Sequence, residues 1–209
     1  MYILIISGQL LMLLTSMWML KTWRPTDEAP GWYAAVFCSG LLIGSFAGYS
    51  LIAQVVELTP MFWFEQLALY AAYPFLAFVL VALKLQIDWP KEAWGRILLG
   101  VCGIYWLCQQ THTLNYLLIA SALISSLAIA TLLLNKAAGI CMKQANLVLS
   151  VAVFASLIIV LNSINSSANP VVQDLANQWP LELGLGLLVA AINRGLYLLY
   201  LRMNTSRTS

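Results

Sequence analysis

The sequence predicts an all-α membrane protein, a polytopic bundle of about seven transmembrane helices with its N-terminus outside and its C-terminus in the cytoplasm. Three observations predict it: a shortage of charge, seven long apolar runs, and basic residues that recur after every second run. The chain is 62% hydrophobic and 9% charged, with ten basic and eight acidic residues in 209. A soluble domain is about 45–50% apolar and about 25% charged. So few charges cannot cover a water-facing surface, and lipid is the solvent that tolerates an apolar exterior. The length fits one transmembrane domain over residues 1–209.

A helix needs about 20 apolar residues to cross the hydrocarbon core. The runs that qualify are residues 2–20, 32–54, 61–83, 94–109, 114–134, 146–161 and 181–201. The first lacks the basic flank that precedes a secretory signal, since Lys21 and Arg24 follow it, and it is expected to remain as a helix. The fourth is the weakest, purely apolar only from Ile97 to Cys108. The longest connection is expected from Asn162 to Pro180, with a short surface helix at Val171–Trp179. No output domain is expected after Leu201.

The basic residues orient the bundle. Lys21 and Arg24 follow the first run, Lys84, Lys91 and Arg96 the third, Lys136 and Lys143 the fifth, and Arg202 and Arg207 the seventh. The connections after the second, fourth and sixth runs hold none. Cytoplasmic loops carry the Lys/Arg excess, which gives N-out, C-in in a cell inner or plasma membrane. Omitting the weak fourth helix would scramble this alternation. Tryptophans fall near helix ends, Trp18, Trp23, Trp32, Trp89 and Trp94 inside and Trp63, Trp106 and Trp179 outside, as amphipathic rings at headgroup level would.

Three features stand out within the runs. Gly40, Gly44 and Gly48 form a stripe along one face of the second helix, where another backbone can approach closely. It suits packing within the bundle or contact with another membrane protein through this helix. Pro74 interrupts the third helix, frees the carbonyl of Tyr70 and should kink it. Glu65 and Gln66 lie in the outer part of that helix; with Glu57, His112, Asn115 and Glu182 they could line an outward-open polar pocket, with Tyr70 and Tyr73 at its wall. A carboxylate at the depth of Glu65 is costly unless paired, wet or protonated. Arg194 lies about 10 Å from the inner end of the seventh helix by helical rise, within reach of the headgroups or of an inward-facing anion.

Enzyme chemistry finds no support. One histidine is too few for a bis-histidine haem, and Cys38, Cys102, Cys108 and Cys141 show no metal spacing, so neither a metal nor a cofactor is expected. No basic run suits nucleic acid. The topology is similar to that of microbial rhodopsins and G-protein-coupled receptors, yet the seventh run has no lysine for a retinal Schiff base. The short fourth run resembles the three-one-three plan of SWEET and PQ-loop sugar transporters, yet Pro74 has no counterpart in the seventh run. No family is assigned. The lipid bilayer is the expected partner. The function expected first is a non-enzymatic accessory subunit of a membrane complex, with a small-solute transporter or sensor as the alternative.

Overall fold

A computed structural model of the chain describes residues 2–26, 28–56, 62–135, 142–168 and 178–205. Glu57, Lys136, Cys141, Arg207 and most of the expected surface helix at Val171–Trp179 lie outside them. Among the described residues the structure is helical, with no strand: α1 (Tyr2–Thr22), α2 (Trp32–Val56), α3 (Phe62–Leu67), a π-helical segment (Ala68–Ala72), α4 (Tyr73–Lys84), α5 (Lys91–Gln110), α6 (Leu114–Asn135), α7 (Met142–Ala168) and α8 (Gln178–Thr205). The outer connection expected at Asn162–Pro180 is partly helical, because α7 runs on to Ala168 and α8 begins at Gln178. The apolar run marks how much of a helix lipid can cover; the backbone ladder continues past it wherever Asn, Ser or Gln tolerate helical torsions.

Helix ends follow from local chemistry. Tyr33 N–H and Ala34 N–H donate to the carbonyls of Pro30 and Gly31, which starts α2 directly after the Pro-Gly turn. At the end of α4, Ile87 N–H reaches back to Ala82 O at 2.9 Å, with Gln86 in the left-handed region at φ 56°. The end of α5 repeats this closure, Thr113 N–H to Cys108 O at 2.8 Å, with His112 at φ 55°. Each closure satisfies carbonyls that the last helical turn leaves open. Pro74 has no N–H, and its ring crowds the carbonyl four residues earlier. The turn before it is widened to π geometry, so that Tyr73 N–H donates to Ala68 O, five residues back.

Five helical segments are long and apolar enough to cross a membrane: Ile3–Thr22, Trp32–Val56, Glu65–Lys84, Leu114–Thr131 and Pro180–Leu198. The apolar part of α7, Asn146–Asn162, is shorter. The 20 residues of α5 reach about 30 Å by helical rise, but Lys91, Glu92 and Arg96 at one end and Gln109 and Gln110 at the other dilute its apolar character.

α1 packs between α2 and α8; α7 lies on α8, α6 on α7 and α4, and α4 on α2. α5 lies against α2, α4, α6 and the π segment. The buried core includes Phe75, Leu76, Val79 and Leu80 of α4 together with Met12 of α1, Ile43 of α2, and Leu188 and Ile192 of α8. The glycine stripe of α2 faces α1: a Cβ at Gly40 would lie 3.2 Å from Met19 Cβ, and one at Gly44 3.1 Å from Ser16 Cβ. The face that the sequence offers to another protein is therefore filled by the chain's own first helix.

At the end of the bundle where α1, α4 and α8 finish, tryptophans do more than mark an interface. Trp23, Trp32 and Trp94 are buried between helices. Trp23 Nε1–H donates to Asn193 Oδ1 at 2.8 Å, and its ring meets Trp32, Tyr33 and Tyr200 at centroid distances of 5.1, 5.1 and 5.8 Å. The connections α1–α2 and α4–α5 lock together here, as Lys91 Nζ donates to Thr26 O and Gly31 presses on Trp89 O. A Cβ at Gly31 would fall 2.0 Å from that oxygen, whereas one at Gly95 would meet nothing within 4 Å. Gly31→Ala should therefore destabilise the protein by about 1–3 kcal/mol. Gly95→Ala should be neutral or stabilise by up to about 1 kcal/mol through helix propensity. Thermal unfolding in detergent checks the pair; equal melting temperatures would refute the packing.

Candidate functional site

The opposite end, formed by the N-terminal parts of α1, α3 and α8 and the C-terminal part of α2, holds the polar residues that the apolar composition makes conspicuous. Their positions depend on small residues. α1 and α8 approach so closely that a Cβ at Gly8 would lie 3.0 Å from the Glu182 carbonyl carbon, and one at Gly186 3.0 Å from Gly8 O. Without side chains at these points the backbones touch, and the neighbouring Gln9 comes within reach of Glu182.

Gln9 is 2% exposed and bridges two helices. Its Nε2 donates to Glu182 Oε1 at 3.2 Å, and its Oε1 accepts from Gln54 Nε2 at 2.9 Å. One buried amide thus ties α8 to α2 through α1. The second oxygen, Glu182 Oε2, is enclosed by protein and has no hydrogen-bond partner among the described residues. Tyr73, 2% exposed on the first turn of α4, donates its hydroxyl to Met12 Sδ at 3.4 Å, a weak acceptor, and stands near enough to Glu182 to feel its charge.

Glu65 is half-buried in the first turn of α3. Its charge acts on both Glu182 and Tyr70. Tyr70 stacks on Tyr105 of α5, centroids 5.9 Å apart and planes 12° from parallel. Tyr105 donates its hydroxyl to Gln66 Oε1, and Gln66 is buried. Two polar arms result: Gln54–Gln9–Glu182 across α2, α1 and α8, and Gln66–Tyr105–Tyr70 between α3, the π segment and α5. Glu65 stands electrostatically between them. Among the described residues no basic side chain pairs with either carboxylate, and no group of His, Cys, Asp and Glu could hold a metal ion.

Of the residues singled out from sequence, Glu65, Gln66, Tyr70, Tyr73 and Glu182 gather at this end. His112 does not join them: it is exposed, and its left-handed backbone ends α5. Arg194 belongs to the other half, where its guanidinium lies 5.6 Å over the ring of Tyr197, itself packed 5.9 Å from Trp18. Reaching one turn toward the C-terminus, it takes the course of a snorkelling side chain. The stripe of Gly40, Gly44 and Gly48 serves α1 and lies apart from the carboxylates. Gln9, Gln54 and Tyr105 are not legible as site residues in the sequence. The available signal for Gln9 is that it is the single amide or charged residue between Tyr2 and Leu20.

The exterior completes the class. Leu14, Leu99, Leu127, Leu147 and Phe154, from four helices, are all more than half exposed. Helices of spanning length with apolar outer faces define an α-helical membrane bundle. Compared with protein-family models, curated proteins and solved structures, the chain matches none.

Gln9→Leu tests the bridge. It should strand both Gln54 and Glu182 and cost about 1–3 kcal/mol for each group left unpaired. A thermal unfolding midpoint within error of wild type would show that the bridge carries no energy.

Proposed function

We propose that the protein is a non-enzymatic seven-span protein of the cell inner or plasma membrane, N-terminus outside and C-terminus cytoplasmic, that engages a small solute from the outer face as a transporter or sensor. The alternation of basic loops supports the orientation. It also supports counting α5 and α7 as spans, since without either the alternation fails. One observation carries the solute reading: the buried Gln54–Gln9–Glu182 bridge ends on a carboxylate oxygen without a partner among the described residues, at the end of the bundle that also holds Glu65. Structural hydrogen bonds in a membrane bundle need no such residue, and an ionisable group at this depth is expensive to keep without a use. Tyr73 of α4, Tyr105 of α5 and Tyr70 of the π segment bring aromatic rings to the same end.

The test is a thermal-shift screen of the detergent-purified protein against sugars, amino acids and small organic ions. A solute at about 100 times its Kd should stabilise by about 2.7 kcal/mol. At least one class should raise the melting temperature of wild type and leave Glu65→Gln unmoved. If none does, or if the variant responds equally, the solute reading fails.

A second reading, an accessory subunit of a membrane complex, draws on α5. Its outer face combines Leu99, Trp106 and Leu107, each more than half exposed, with Gly100 and Gly103, above which nothing lies within 4 Å. A photo-crosslinker placed at Leu99 should then capture one discrete membrane protein, whereas the same group at Leu147 on α7 should not. Lipid adducts alone at both positions would remove this reading.

A further inference from the structure

We infer that Glu182 is a proton-binding group, loaded and unloaded from the end of the bundle at which Glu65 stands. The inference rests on the solute-site reading and gives the site its chemistry, since a site that takes up a proton can couple a solute to it.

The geometry around Glu182 is the starting point. Oε1 is held by Gln9, while Oε2 is enclosed and bare. A carboxylate can accept about four hydrogen bonds, and the described surroundings supply one. The groups that face it are few. α1 brings Gln9, and its one charged residue, Lys21, is at the far end. α2 brings Gln54 by way of Gln9. α3 brings Glu65, and α4 brings Tyr73. α7 brings Ile158, Ile159 and the carbonyl of Ala155 against Gly184; its single titratable residue, Lys143, is at its opposite end. α6 has one titratable residue, Tyr116, which is 72% exposed. On α8 itself the next titratable residue is Arg194, about 18 Å further along by helical rise. Among the described residues no cation pairs with Glu182.

A carboxylate with one oxygen enclosed, one hydrogen bond and no balancing cation is costly to hold as an anion, and taking up a proton removes that cost. Glu182 lies past the first turn of α8, with one oxygen sealed off. The proton therefore resides on Glu182. An O–H bond forms on its free oxygen with a proton from the adjoining aqueous phase, and breaking that bond returns the proton and leaves the electron pair on the carboxylate. A metal cation fits less well: a hard cation asks for several oxygens at once, and one bare oxygen is on offer.

Infrared difference spectra of the protein in phosphatidylcholine vesicles, recorded as pH is stepped, read the carboxyl C=O stretch directly. Wild type should show a protonated-carboxyl band that vanishes on going alkaline. Glu182→Gln should lack it, and Glu65→Gln should keep it. Should Glu182→Gln fail to fold, Glu182→Asp retains the carboxyl and should displace the band in frequency. A band unchanged in the Glu182 variants, no titrating band at all, or loss of the band on adding Na⁺ or K⁺ at constant pH each overturns the inference. A titrating Glu182 band in a protein that no solute stabilises upholds the proton site while the solute reading fails. Solute stabilisation without the band does the reverse.

Discussion

The close approach of α1 to its two neighbours is the constraint on which the rest depends. α1 has no wide polar stripe of its own; it is held by shape. Gly40 and Gly44 let it sink onto α2, and Gly8 and Gly186 let it touch α8 backbone to backbone. In lipid there is little hydrophobic gain from bringing helices together, so dispersion contacts at short range and a few hydrogen bonds must supply the association. The same approach sets Gln9 between Gln54 and Glu182. A wider α1–α8 separation would lose the packing and the polar bridge together.

Polar groups inside this bundle divide by how well they are met. Serines on α6 return their hydroxyls to the preceding turn, as Ser121 does to Leu118 O and Ser125 to Ser121 O, and Ser126 also reaches Ala152 O across to α7. At the other end Trp23 donates to Asn193 Oδ1, while Asn193 Nδ2 and Trp94 Nε1 are buried without a partner among the described residues. The serines cost little and join helices. The Glu182 carboxylate differs in kind, because its unpartnered atom belongs to a group that carries charge when ionised. The two ends of the molecule thus have different characters. One is an aromatic cluster around Trp23, Trp32 and Trp94, and the other is a partly satisfied polar network around Glu182.

The widened turn before Pro74 belongs to the second of these. A regular α-helix through residues 68–74 would bring the Tyr70 carbonyl against the proline ring, and the π turn relieves this. It does so between Tyr70, which stacks on Tyr105, and Tyr73, which lies near Glu182. The backbone irregularity and the polar network therefore share one stretch of chain, as is frequent where helices carry function.

The sequence by itself determined that lipid is the solvent, roughly where helices run, and which acidic and aromatic residues are unusual in that solvent. Composition and the period of apolar runs are properties of local stretches, so they survive without knowledge of neighbours. Glu65, Gln66, Tyr70, Tyr73 and Glu182 were legible because a polar group in an apolar run stands out wherever the run ends up. Tertiary structure alone decided which of them meet. It turned the glycine stripe toward α1, placed His112 at a helix end with its side chain exposed, and sent Arg194 to the half of the bundle away from the carboxylates. It also recruited Gln9, Gln54 and Tyr105, whose partners lie 173, 45 and 39 residues away along the chain. Helix rotation and inter-helix distance set such encounters, and those depend on side-chain volumes from several helices at once, which no single stretch of sequence encodes.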